Sequence, residues 1–138
     1  PVTDERMTRF WMTLQQSVDF VIKCASLMRG GETFIPKLKS VKITDLASSM
    51  DPKKEMKLIG IRPGEKIHES LTTLSNDYLT LEFKDHFVVM PSTLVNIDKK
   101  LYIINKTGEK GKFVEKGFEY NSGTNKEFMG LKEIKEKL

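Results

Sequence analysis

The sequence predicts a mixed α/β (α+β) chain in which helix comes early and strand late. Three observations carry this. Apolar residues recur at helical spacing after Thr13, short β-prone runs bracket Lys84-Asp85, and Gly and Pro punctuate the boundaries.

The first helix follows from Leu14, Val18, Val21, Ile22, Ala25 and Met28, spaced three and four apart. Thr13 with Gln16 resembles a capping box, and Gly30-Gly31 ends the helix. Residues 32–35 read as a short strand. A second helix is expected over residues 44–50, with Thr44 as its cap and Pro52 as its stop. Residues 57–61 are apolar and β-prone, so a strand is expected there. Arg62-Pro63-Gly64-Glu65 reads as a turn, since Pro63 fixes φ and Gly64 permits the unusual one. Residues 66–71 read as a short helix, and residues 78–83 with 86–90 as a hairpin. A further strand is expected over 101–104, a Gly- and Lys-rich loop over 105–117, and a charged helix over 131–138.

The 138 residues suffice for one domain or for a piece of a larger one. No apolar run has transmembrane length, and Pro1-Val2-Thr3-Asp4-Glu5-Arg6 is no signal peptide, so no membrane partner is expected. Cys24 is the only cysteine, which excludes an internal disulfide or a cysteine cluster. It falls in the helical apolar pattern and reads as an inert buried thiol in a reducing, cytoplasmic setting. The net charge of +4 comes from 23 basic and 19 acidic residues that interleave. Nucleic-acid binders cluster their charge on one face, so no nucleic-acid partner is expected.

The clearest candidate site is Gly60-Ile61-Arg62-Pro63-Gly64-Glu65-Lys66. A strand end and a Pro-Gly turn would present Arg62 and Glu65 together. A guanidinium grips phosphate oxygens with two prongs, and a carboxylate accepts hydrogen bonds from sugar hydroxyls. On spacing alone, an ordinary exposed Arg–Glu turn competes with that reading. Arg9, between Met7 and Phe10-Trp11, either stacks on a ring or faces an anion. His68 and His86 lack metal-ligand spacing and read as structural or surface residues. Phe10 and Trp11 read as core packing, and Ser122/Thr124 has no local base. Tyr102-Ile103-Ile104-Asn105-Lys106 matches a Tyr-x-x-x-Lys acid/base pair. It is rejected because a strand would set the two side chains ~13 Å apart. No catalytic, cofactor-binding or metal-binding residue is therefore assigned.

Three stretches together carry a resemblance: Pro1-Val2-Thr3-Asp4-Glu5-Arg6-Met7-Thr8-Arg9-Phe10, Gly60-Ile61-Arg62-Pro63-Gly64-Glu65-Lys66-Ile67-His68-Glu69, and Glu119-Tyr120-Asn121-Ser122-Gly123-Thr124-Asn125. In this order they resemble the C-terminal part of the inverting UDP-N-acetylglucosamine 4,6-dehydratases. These are capsule and polysaccharide biosynthesis proteins of the extended short-chain dehydrogenase/reductase superfamily. The resemblance implies an N-terminal Rossmann domain holding NADP and a smaller C-terminal domain holding the UDP-sugar. Such enzymes move the C4 hydride to the cofactor, eliminate water across C5–C6 and return the hydride to C6; the inverting group also inverts C5. By matching motifs, Arg9 and Arg62 would grip the UDP diphosphate and Glu65 the ribose hydroxyls. His68 and residues 120–125 match family positions without an assigned contact.

The departures shape the expectation. No Gly-x-x-Gly-x-x-Gly fingerprint occurs in the sequence, so no cofactor is expected in this chain, with NADP left to the full-length parent. Residues 1–138 are expected to form a single C-terminal nucleotide-sugar-binding domain, a fragment, split protein or separately made domain that is inactive alone. Surface left uncovered by the missing Rossmann domain would promote a homo-oligomer. A non-catalytic binding or assembly module of the same fold is the second reading, and a basic nucleic-acid-binding domain the third.

Overall fold

The register that matters most for the site is that of β1 (Thr8–Trp11) against β3 (Lys39–Lys42), which pairs Thr8 with Lys42, Arg9 with Val41, Phe10 with Ser40 and Trp11 with Lys39. The computed structural model describes residues 1–92 and 98–138. These fall into two compact units. The first comprises Pro1–Thr13, Leu38–Ser70 and Tyr120–Leu138. The second comprises Leu14–Lys37 and Leu71–Glu119.

In the first unit, α2 (Ile43–Met50) follows β3 directly, and α4 (Leu131–Lys137) closes the chain. Val41, Met129 and Ile134 are buried together, with Trp11 and Leu46 packed against them. The segment leading into α4 runs beside β3: Ser40 N donates to Glu127 O at 2.9 Å and Met129 N to Ser40 O at 2.8 Å. Asn125 secures the start of β3 through Nδ2, which donates to Leu38 O at 2.8 Å and Ser40 Oγ at 3.0 Å. Burying Ser40 is tolerable because its polar atoms are hydrogen-bonded. The cap of α2 is Lys42 rather than Thr44, and its side chain makes no capping bond.

Two further expectations fail in this unit. Residues 57–61 form no strand; they make only an isolated parallel bridge of Leu58 to Val2, and residues 51–64 are exposed throughout. β-propensity without a neighbour to pair leaves an extended segment. Residues 66–71 form no helix, because their carbonyls are committed elsewhere. Thr8 N donates to Ile67 O at 3.0 Å and Ser122 N to Glu69 O at 2.8 Å.

In the second unit, α1 (Leu14–Leu27) precedes a four-stranded antiparallel sheet of order β2-β5-β4-β6. The strands are β2 (Thr33–Pro36), β4 (Thr80–Glu82), β5 (His86–Val89) and β6 (Lys112–Phe113). The expected hairpin is present, closed by Phe83 N donating to His86 O at 2.9 Å. A 3-10 turn, Leu74–Leu79, leads into it. The core gathers Leu79, Leu81, Phe83, Val88, Met90 and Tyr102. Instead of the strand expected over 101–104, α3 (Lys100–Ile103) forms one helical turn. The loop expected over 105–117 includes β6, which pairs with β4.

The spacing of α1 is as expected, but its apolar residues are not covered. Among its residues only Leu27 is buried, while Leu14, Val18, Val21 and Ile22 are exposed. What fixes the helix within its unit is polar and aromatic. Lys23 Nζ pairs with Asp85, Asp85 Oδ1 bonds His86 Nδ1 at 2.7 Å, and Phe20 meets the His86 ring edge-on. Burial opposes ionisation of Asp85, but hydrogen bonds from Lys23 and His86 prevail and hold its carboxyl down at about 2.

Candidate functional site

The candidate site lies within the first unit and starts from the turn the sequence announces. Glu65 N donates to Arg62 O at 3.1 Å, and Gly64 at φ 84° takes the position that side chains avoid. Proline second and glycine third make this a type II turn. Its two charged residues meet: Glu65 Oε2 accepts from Arg62 N at 3.2 Å, and Glu65 Oε1 stands 3.8 Å from Arg62 Nη1. The Arg62 side chain is 67% exposed, so its guanidinium faces solvent with only loose pairing.

Below the turn, residues 67–69 are stitched to β1 and to the segment after Tyr120. Thr8 Oγ1 is 2.8 Å from His68 Nδ1 and 2.7 Å from Ser122 Oγ. Ser122 Oγ accepts from Glu69 N at 2.9 Å and donates to Thr8 O at 3.2 Å. Thr8 and Ser122 are both buried, so this cluster is a satisfied polar network inside the protein, not a reactive serine. His68 lies against Gly123 so closely that a Cβ there would sit 2.5 Å from its ring. Asn121 Nδ2 extends the seam to Ser70 Oγ at 3.0 Å.

Arg9 is held mainly by backbone carbonyls. Its Nη1 donates to Thr8 O at 2.7 Å and Ile67 O at 3.1 Å, and its Nη2 donates to Lys66 O at 3.0 Å. Its Nε faces Glu69 Oε1 at 3.5 Å. Arg9 thus clasps the segment immediately after the turn that carries Arg62 and Glu65. Phe10, on the other face of β1, packs against Tyr120 with ring centroids 4.7 Å apart. The Tyr120 hydroxyl donates to Leu38 O at 2.9 Å, and burial pushes its pKa up.

Sequence reasoning found the turn but assigned its support no contacts. Ser122 reads as a nucleophile candidate without a local base, and Thr8 and Gly123 enter only within the stretches that carry the resemblance. The signal available was the size of Gly123, which only the facing His68 ring explains. Other discounted candidates fall elsewhere. The Tyr102 hydroxyl donates to Gly30 O at 2.9 Å, Lys106 is exposed, and His86 is enclosed by aromatic rings. Cys24 is half-buried, with burial pushing its thiol up. Among the described residues no group of three could hold a metal ion, and no helix is long and apolar enough to cross a membrane.

The family model described as Polysaccharide biosynthesis protein matches residues 1–91, which include β1, the Arg62–Glu65 turn and His68-Glu69. The chain belongs to the polysaccharide biosynthesis protein family. This family member is 43% identical over 134 residues to the UDP-N-acetylglucosamine 4,6-dehydratase (inverting) of Campylobacter jejuni subsp. jejuni serotype O:23/36 (strain 81-176), covering 97% of this chain and 40% of that one. It is 33% identical over 141 residues to the UDP-glucose 4-epimerase of Rickettsia prowazekii (strain Madrid E), covering 99% and 40% respectively. It also matches the X-ray structure of Pen from Bacillus thuringiensis with a TM-score of 0.74 and 27% identity, over 98% of this chain and 39% of the other. The resemblance read from the three sequence stretches is therefore borne out. The family member spans about 40% of the length of these curated relatives.

Proposed function

We propose that this chain is the UDP-sugar-binding portion of a nucleotide-sugar 4,6-dehydratase, a lyase of surface polysaccharide or glycan biosynthesis acting in the cytoplasm. The observation that carries the reading is the Arg62–Glu65 turn, shaped by Pro63 and Gly64, whose following segment is fastened to β1 by Arg9 and Thr8. Arg62 and Arg9 would grip the diphosphate, and Glu65 would accept from the ribose hydroxyls. The names of two relatives, a dehydratase and an epimerase, differ in reaction and sugar but share UDP. That supports the nucleotide end of the ligand as what this portion of the family recognises.

NADP and the hydride chemistry would belong to the remainder of such a protein, and the chain by itself would be inactive.

Amide shifts of the labelled chain during UDP titration test the reading. A half-site binds weakly, and millimolar affinity corresponds to about −4 kcal/mol. Shifts are expected around residues 9 and 62–65, and Arg62→Ala should weaken UDP by about tenfold, as loss of a charge-assisted contact does. Equal UDP affinity in wild type and Arg62→Ala would refute the assignment.

The exposed stripe of α1 supports a homo-oligomer, since uncovered apolar surface favours association. Sedimentation across concentration should show reversible self-association that weakens in Val21→Glu. A monomer at every concentration would rule this out.

A further inference from the structure

We propose that Glu69 is a built-in competitor for the anion site, holding Arg9 until a diphosphate displaces it. This rests on the proposed function. Each arginine of the site already has its own carboxylate: Arg62 has Glu65 at 3.8 Å and Arg9 has Glu69 at 3.5 Å. The two carboxylates differ in their ties. Glu65 is tied within its own turn, its Oε2 accepting from Arg62 N at 3.2 Å. Glu69 is tied to other segments. Its backbone is tied to Ser122 at both ends, by Glu69 N to Ser122 Oγ at 2.9 Å and Ser122 N to Glu69 O at 2.8 Å. Its second carboxylate oxygen, Oε2, accepts from Phe10 N at 3.4 Å.

The donors of Arg9 identify which contact an incoming anion replaces. Nη1 is spent on two backbone carbonyls, and Nη2 on a third and on the Met7 sulfur at 3.9 Å. These partners are neutral and hold the guanidinium in place. Glu69 alone among them carries a negative charge, at the edge where Arg9 is partly open to solvent. A diphosphate arriving there meets an arginine already neutralised, so like-charge repulsion from Glu69 lowers its affinity. The pair is surface-accessible, which limits the size of the effect.

The test measures affinity for UDP and for inorganic pyrophosphate by amide-shift titration of the whole chain. Glu69→Gln keeps an acceptor for Phe10 N and removes the charge. It should tighten both ligands about threefold to fivefold, in line with a partly exposed ion pair. Glu69→Asp, which draws the carboxylate back from Arg9, should tighten both by less and serves if the first variant misfolds. Glu65→Gln should weaken UDP but not pyrophosphate, which has no ribose. Damage to the fold would lower affinity, so the direction of the change separates competition from a structural role. If both Glu69 variants bind unchanged or more weakly while Arg62→Ala still weakens UDP, the competitor is refuted and the nucleotide site stands. If neither ligand binds wild type or variants, or Arg62→Ala changes nothing, the site and the competitor fall together.

Discussion

Gly123→Ala is expected to destabilise the protein by about 2 kcal/mol, as overpacking against a held side chain does. The added methyl would lie 2.5 to 2.7 Å from three atoms of the His68 ring. The ring cannot yield freely, because its Nδ1 is bonded to buried Thr8 at 2.8 Å. Thermal unfolding should show the loss as a fall of several degrees in Tm. The double variant His68→Ala/Gly123→Ala separates the cause, since removing the ring leaves room for the methyl. It should be no less stable than His68→Ala alone, a non-additivity expected of touching residues. An unchanged Tm in Gly123→Ala would mean that the ring moves aside at no cost.

Leu81→Ala carries the second large effect, about 3 kcal/mol, from lost transfer energy and an unfilled cavity. Leu81 is fully buried in β4, opposite Val88 on one side and Phe113 on the other. The strands flanking it on both sides oppose collapse around a missing side chain. Urea unfolding should report a lower midpoint at an unchanged slope. A loss below about 1 kcal/mol would show that the core of this unit repacks.

Legibility followed the range of the forces involved. The Arg62–Glu65 turn was readable because proline and glycine set backbone angles locally. The existence of α1 was readable from its period, but which face it buries was not, since burial needs a partner and spacing names none. Leu14, Val18, Val21 and Ile22 are regular and exposed. Residues 66–71 looked helical and are held open because Arg9 and Thr8 claim the carbonyls of Lys66 and Ile67, a tertiary demand that local propensity does not encode. β1 and β3, at four residues each, are too short for alternation to stand out. Of the site, the charged turn was legible and its buried support was not. Thr8, Ser122 and Gly123 are small, lie far apart in sequence, and acquire meaning only where they meet.

The placement of the two histidines has a practical consequence. His68 belongs to the first unit and His86 to the second. His86 lies parallel to Phe83 at 4.8 Å between ring centroids, so ring currents displace its carbon-bound protons from the values of a solvated imidazole. His68 has a different frame, bonded to Thr8 and set against Gly123. A one-dimensional proton spectrum therefore contains a separate resonance for the integrity of each unit. Any substitution near the Arg62–Glu65 turn can be judged for local damage without labelling, and before a single ligand is added.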